Sequence, residues 1–186
     1  MALLMAVPFH SARPEAQSLT PGPPGPFVFD VSVAMSGVPA ADALFAGLPA
    51  GTLVPTRAFG GGGGAHVYAL QIGPSRLGFG IGVLVARGST PEASSTVATV
   101  DPQVSFNFGT ADGWSFLSAG IGAAHVSADP GSVSETVRSV NWGGGARWFL
   151  GPHLGFGFDV RVRHLAAGDA VPKGTTVSGS VGVSLK

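Results

Sequence analysis

The sequence predicts an all-β fold, a single eight-stranded antiparallel up-and-down β-barrel that crosses an outer membrane. Three observations predict it. Eight stretches between Phe27 and Leu185 alternate apolar and small or polar residues, the period of a β-strand with two different faces. Their connectors alternate in length, as the outer loops and periplasmic turns of such barrels do. Aromatic residues gather at the short-connector ends, where rings favour the headgroup level of a bilayer.

Composition supports a membrane protein built from strands. The chain has 186 residues, enough for one domain, and only 11% of them are charged. A soluble domain has about 25% charged residues, so charge does not cover this surface. No stretch of about 20 apolar residues could form a spanning helix, which leaves a barrel as the way to cross. Ten basic and ten acidic residues give no field to attract nucleic acid, and without cysteine there are no thiolate metal sites.

The chain divides into a tail, residues 1–26, and a barrel domain, residues 27–186. Met1 to Ala16 resembles the remnant of a signal peptide, with a short apolar core, and we expect the true start to lie upstream. Residues 21–26 read Pro-Gly-Pro-Pro-Gly-Pro and predict an extended linker.

The alternation is clearest in the first strand, where Phe27, Phe29 and Val31 fall on one face and Asp30 and Ser32 on the other. In the second strand, the run of glycines from Gly60 to Gly64 predicts a bulge or a bend. We expect the eight strands near residues 27–36, 57–72, 77–87, 100–108, 114–127, 138–150, 154–163 and 177–185.

The connectors set the orientation. Turn-forming residues make short connectors at 73–76, 110–113 and 151–153, and we expect long ones at 39–56, 88–97, 128–137 and 167–175. Short connectors in the periplasm put both termini there. One aromatic girdle is then expected at the periplasmic end, formed by Phe27, Phe29, Phe79, Phe106, Phe108, Trp114, Phe116, Trp148, Phe149, Phe156 and Phe158.

Six charged residues fall on the strand faces opposite the aromatic residues. The interior of an eight-stranded barrel has room for little more than packed side chains, so buried charges of both signs should pair there and plug it. The alternative is a path for protons or ions, which would make the protein a minor channel. The six residues of this predicted ion network are Asp30, Asp101, Arg147, Asp159, Arg161 and Arg163.

From Phe27 to Leu185 this pattern resembles the small eight-stranded outer-membrane barrels, a group that includes the OmpA transmembrane domain, OmpX and OmpW-like proteins. The resemblance implies a monomer in the bacterial outer membrane whose partners are outer-membrane lipid, lipopolysaccharide and the outer-membrane assembly machinery. Leu185 stands where such families usually place an aromatic residue that the machinery reads. We expect no cofactor and no nucleic-acid partner.

Arg57, Arg87 and Arg138 map to the outer ends of the second, third and sixth strands. Phosphate groups of lipopolysaccharide lie at that level, and guanidinium groups match phosphates by paired hydrogen bonds. We therefore expect these arginines to contact lipopolysaccharide. Ordinary charge at the membrane boundary is the alternative.

His125 and Ser127 suggest a second functional hypothesis. A serine, a histidine and an acid such as Glu135 could form a hydrolytic triad, and the His-x-Ser order is similar to that of outer-membrane lipid A deacylases. Strand parity predicts that His125 faces the lumen, however, which argues against a lipid substrate. The other histidines lack metal-ligand spacing, and no Gly-Lys-Ser/Thr follows the glycine run to make a phosphate loop.

The sequence thus favours a non-enzymatic outer-membrane barrel that supports envelope integrity or offers its outer loops to ligands or surfaces. A lipid-modifying hydrolase and a minor small-solute or ion channel remain the alternatives.

Overall fold

The computed structural model describes residues 25–186, so the predictions for the N-terminal tail lie almost wholly outside the described part of the chain. Eight antiparallel strands close into a barrel in sequence order, and β1 pairs with β8 to complete the ring. This confirms the predicted fold class. The elements are β1 Phe27–Gly37, α1 Ala41–Leu44, β2 Arg57–Ile72, β3 Ser75–Ser89, β4 Ser94–Thr110, β5 Gly113–Asp129, β6 Val133–Phe149, β7 Leu154–Leu165 and β8 Gly174–Leu185.

Within residues 25–186 no helix is long and apolar enough to span a membrane.

The strands β3 to β6 run further outwards than predicted. The prediction of long loops at 88–97 and 128–137 was wrong. Only residues 90–93 separate β3 from β4, and only residues 130–132 separate β5 from β6. The Ser- and Thr-rich segments on either side pair as continuous ladders, with Ser94 opposite Asp129 and Ser89 opposite Ser94. Two outer loops remain long, residues 38–56 and 166–173.

The glycine run in β2 does not form the predicted bulge. Residues 59–67 pair without interruption with β3, and the register shifts instead between Val67 and Leu70. Glycine is needed at Gly60 because a Cβ there would overlap the carbonyl group of Val85. The run therefore lets the β2 and β3 backbones approach closely.

The barrel wall has an apolar outside. Large apolar side chains are exposed at alternate positions around it, with Val31 at 68% and Ile121 at 70%. Surface of this extent is unfavourable in water and matches the apolar band of a transmembrane barrel.

The interior is filled at three heights. The upper plug consists of apolar residues of the wall and the outer loops, and below it lies a polar layer that holds the six predicted ionic residues. The lower plug consists of Val28, Tyr68, Trp114 and Phe149. Trp114, Phe116 and Phe149 are buried and face the lumen, which corrects their assignment to the aromatic girdle at the periplasmic end. The upper plug comprises Ala34, Val38, Leu44, Phe45, Ala58, Leu84, Ala86, Ala93, Ala124, Val126, Ala128, Val137, Leu165 and Val171.

Candidate functional sites in the lumen and at the outer rim

Three ion pairs occupy the polar layer. The guanidinium group of Arg147 donates two hydrogen bonds to Asp30, from Nε to Oδ1 at 2.9 Å and from Nη2 to Oδ2 at 2.6 Å. A second pair joins Arg163 Nη2 to Asp101 Oδ2 at 2.6 Å. All six ionic residues named from the sequence lie in the lumen, and the third pair joins Arg161 Nη2 to Asp159 Oδ2 at 2.8 Å.

Neutral side chains that sequence reasoning missed complete these pairs. Ser139 donates to Asp101 at 3.0 Å and Ser184 donates to Asp30 at 2.7 Å. Arg161 donates to Asn141 at 2.7 Å. The Arg147 guanidinium also lies 3.9 Å from the centre of the Phe116 ring, a cation–π contact. The two-residue period that placed the charges inside would also have found these residues.

A cavity of about 110 Å³ lies among the ion pairs. His66, Gln103 and Arg163 contribute to its lining, and each has buried polar atoms without a protein partner among the described residues. The volume could hold several water molecules, which would satisfy such atoms. The cavity and its polar lining lie between the upper plug and the lower plug.

The lower plug closes the periplasmic end. The Trp114 and Phe149 rings pack with centres 4.8 Å apart, and Tyr68 contacts the edge of Trp114. Only 2% of Trp114 and 1% of Tyr68 is exposed. The Lys186 ammonium group lies 4.0 Å from the centre of Phe149 and donates to the carbonyl group of Ala111. These side chains pack across the periplasmic end of the lumen.

The outer loops close the other end. Leu44 and Phe45 from the β1–β2 loop are buried in the upper plug, together with Val171 from the β7–β8 loop. Glu135 holds the second loop, because its carboxylate accepts hydrogen bonds from the backbone N–H groups of Asp169, Ala170 and Val171, each at 2.8 Å. Glu135 belongs to the part of β6 that projects above the apolar band, and these three donors lower the pKa of its carboxyl group.

The three arginines predicted to contact lipopolysaccharide do not form one site. All are exposed on the outer face of the wall, and none takes part in an ion pair within the described residues. Arg57 and Arg87 are diagonal neighbours on β2 and β3, because Arg87 pairs with Phe59. Arg138 lies apart from them on β6.

His125 faces outwards, so the inward orientation expected from strand parity was wrong. The inward positions of β5 are Trp114, Phe116 and alternate residues up to Val126, which is fully buried. His125 Nδ1 lies 3.0 Å from the Oγ1 atom of Thr136, its cross-strand neighbour.

The hydrolytic triad is not assembled. Ser127 shares the outward face with His125, but Glu135 lies on the opposite face of β6 and binds the β7–β8 loop. Thr136 occupies the place next to His125 Nδ1 where a triad needs an acid. Within residues 25–186, no group of three or more His, Cys, Asp or Glu side chains could hold a metal ion.

Solved structures share this architecture. Neisserial surface protein A matches over 87% of this chain and 97% of its own, with a TM-score of 0.63 and 14% identity. The chain has the fold of a small outer-membrane β-barrel. Outer membrane protein OprG from Pseudomonas aeruginosa matches over 89% and 97% of the two chains, with a TM-score of 0.55 and 11% identity. The outer membrane enzyme PagL matches over 84% and 99%, with a TM-score of 0.54 and 16% identity.

In sequence, no family model and no curated protein matches the chain. The neighbours therefore show its fold, an outer-membrane barrel of eight strands.

Proposed function

We propose that this chain is a non-enzymatic outer-membrane barrel that supports envelope integrity and offers a fixed outer surface to ligands. The observation that carries the proposal is the closure of the lumen at three heights. A conducting barrel needs a continuous wet path, whereas here the Trp114–Phe149 pair and the upper plug lie on either side of the polar layer.

The outer loops support the second part of the proposal. The β1–β2 loop is held by Leu44 and Phe45 in the barrel mouth, and Glu135 fixes the β7–β8 loop through three hydrogen bonds. A surface that is ordered before binding loses less entropy when a ligand binds. Such loops suit a ligand-binding or adhesive platform.

The proposed partners follow from the outside of the barrel. The apolar band contacts membrane lipid, and Arg57, Arg87 and Arg138 reach the phosphate level of lipopolysaccharide. The assembly machinery would insert the chain, and we expect a monomer because β1 and β8 close the sheet and leave no free edge.

Planar bilayer recording tests the closed lumen. The full chain, refolded and inserted, should give no conductance steps in molar salt. The control variant combines Trp114→Gly and Phe149→Gly in the lower plug with Leu44→Gly and Phe45→Gly in the upper plug, so that both ends of the lumen are opened. Regular steps from the wild-type barrel would instead support a minor channel.

A hydrolase is the second candidate, because His125 and Ser127 share the outward face of β5 near the outer end of the barrel. The missing acid argues against it, since His125 Nδ1 contacts a threonine. Mass spectrometry of lipid A from cells with and without the protein should show the same acylation. A loss of one acyl chain that disappears in Ser127→Ala would make the protein an enzyme.

A further inference from the structure

Two histidines and an arginine form a contiguous group on the outer face of β5, β6 and β7. Arg138 on β6 pairs with Ala123, two positions from His125 on β5. On the other side, Val140 pairs with His164 of β7, so His164 and Arg138 are also diagonal neighbours. Diagonal neighbours are within reach of long side chains. We call His125, Arg138 and His164 the rim triplet.

Both histidine rings are held in the same way. His125 Nδ1 lies 3.0 Å from Thr136 Oγ1, and His164 Nδ1 lies 2.5 Å from Thr175 Oγ1, each across a strand pair. When the threonine hydroxyl donates to Nδ1, the other nitrogen of the ring carries the proton. Each ring then offers an Nε2–H donor from one of the two strands, β5 and β7, that flank Arg138 on β6.

An aromatic ring lies on the membrane side of the rim triplet. Trp142 packs against His164 with ring centres 4.7 Å apart, and 45% of Trp142 remains exposed. Val140 and Ile121 continue the apolar surface nearby, at 47% and 70% exposure. Polar donors therefore lie directly above an apolar and aromatic surface, as the two halves of a lipid require.

Among residues 25–186, no acidic side chain forms an ion pair with the rim triplet. The ion pairs found within residues 25–186 all lie inside the lumen. Glu135 is the acid nearest in sequence to Arg138, but its carboxylate binds the amides of the β7–β8 loop. Arg138 is the charged member of the triplet, and the N–H donors of the triplet match the oxygens of a phosphate group.

We propose that the rim triplet binds a phosphate group of an outer-leaflet glycolipid, whose acyl chains lie along Val140, Trp142 and Ile121. The proposal depends on the outer-membrane placement and concerns one face of the wall. Arg138 supplies the charge, and His125 and His164 supply the flanking donors. Arg57 and Arg87 lie on another face and contribute only general attraction at the membrane boundary.

The test uses the full refolded chain in detergent with a lipid A that carries two phosphate groups, and the same lipid after phosphate removal. Native mass spectrometry counts the lipid that stays bound. Wild type should retain one phosphorylated molecule, and Arg138→Gln should weaken retention roughly tenfold, since hydrogen bonds to charged groups are the strong ones. The double variant His125→Gln with His164→Gln should weaken it less, because glutamine keeps a donor but loses the fixed orientation.

Arg87→Gln is the matched control, because it removes the same charge from the same barrel rim on β3. It should change retention less than twofold. Equal losses in Arg87→Gln and Arg138→Gln would overturn the proposal and show boundary charge only, as would equal retention of the dephosphorylated lipid. Mobility on an unheated gel reports folding of each variant. Bilayer recording measures conductance and does not depend on lipid retention. Failure of the proposed phosphate site is therefore distinguishable from failure of the proposed closed lumen.

Discussion

The polar layer and the upper plug close the same lumen by different means. The polar layer depends on charge pairs, of which Arg163–Asp101 is the most buried, with 3% and 1% of the side chains exposed. The upper plug depends on apolar packing of loop residues such as Leu44 and Phe45 against the wall. Removal of one side chain from an ion pair of the polar layer leaves a buried unpaired charge. Truncation of an apolar side chain in the upper plug leaves a cavity. We therefore expect the polar layer to be the region most sensitive to single substitutions.

The largest effect is expected from Arg163→Ala. This change leaves the Asp101 carboxylate unpaired in the interior, which costs about 3–5 kcal/mol of unfolding free energy. Urea unfolding in lipid vesicles measures it, with Val160→Leu on the lipid-facing side as a control that should change little. Arg161→Ala should cost less, because that pair is more exposed. An unchanged urea midpoint in Arg163→Ala would show that the pair does not stabilise the barrel.

Removal of both charges sharpens the same comparison. Arg163→Met combined with Asp101→Leu leaves no unpaired charge, so the double variant should recover most of the stability lost in Arg163→Ala. The same urea titration gives the coupling between the two positions. Additive losses would mean that each side chain acts without the other.

Leu44→Ala tests the upper plug. Truncation of a buried leucine costs about 2–5 kcal/mol in a protein core, and a loop that can relax should put this site at the lower end. Hydrogen exchange should show the loss as faster exchange in residues 38–56, with the strands unaffected. Uniformly faster exchange in all strands would mean that the plug and the wall unfold together.

The smallest effect is expected at Glu135. Its carboxyl pKa is lowered in the folded barrel, so its contribution is present above the ordinary pKa of glutamate and is lost as the pH falls through the folded-state pKa. Protection of the amides of Asp169, Ala170 and Val171, corrected for intrinsic exchange rates, should fall over that acidic range. Glu135→Gln should lower protection at neutral pH and remove the pH dependence.

The sequence predicted the strands and the ionic face well, because a two-residue period reports directly which residues share a face. It failed in β5, where small residues such as Ala119 and Ala123 hide the parity and the aromatic Trp114 and Phe116 face inwards. The segments 88–97 and 128–137 were expected to be loops, yet most of their residues continue the ladders of β3 to β6 towards the outer end of the barrel.

The partners inside the lumen could not be predicted from parity. Asp101 on β4 meets Arg163 on β7 across the barrel, and this match depends on the stagger of the strands as well as on their faces. The rim triplet could not be predicted from the sequence either, because its three residues come from three strands and His125 was assigned to the wrong face. Cross-strand register, once known, places it directly.

The central claim is that side chains seal the polar layer from both ends. The most direct test is the side-chain N–H signal of Arg147 in the folded barrel, because its Nε donates to Asp30 at 2.9 Å between the two plugs. Nuclear magnetic resonance at neutral pH should show this Nε–H as a resolved signal in slow exchange with bulk water. Exchange as fast as that of a free arginine would contradict the account and show that the lumen is open.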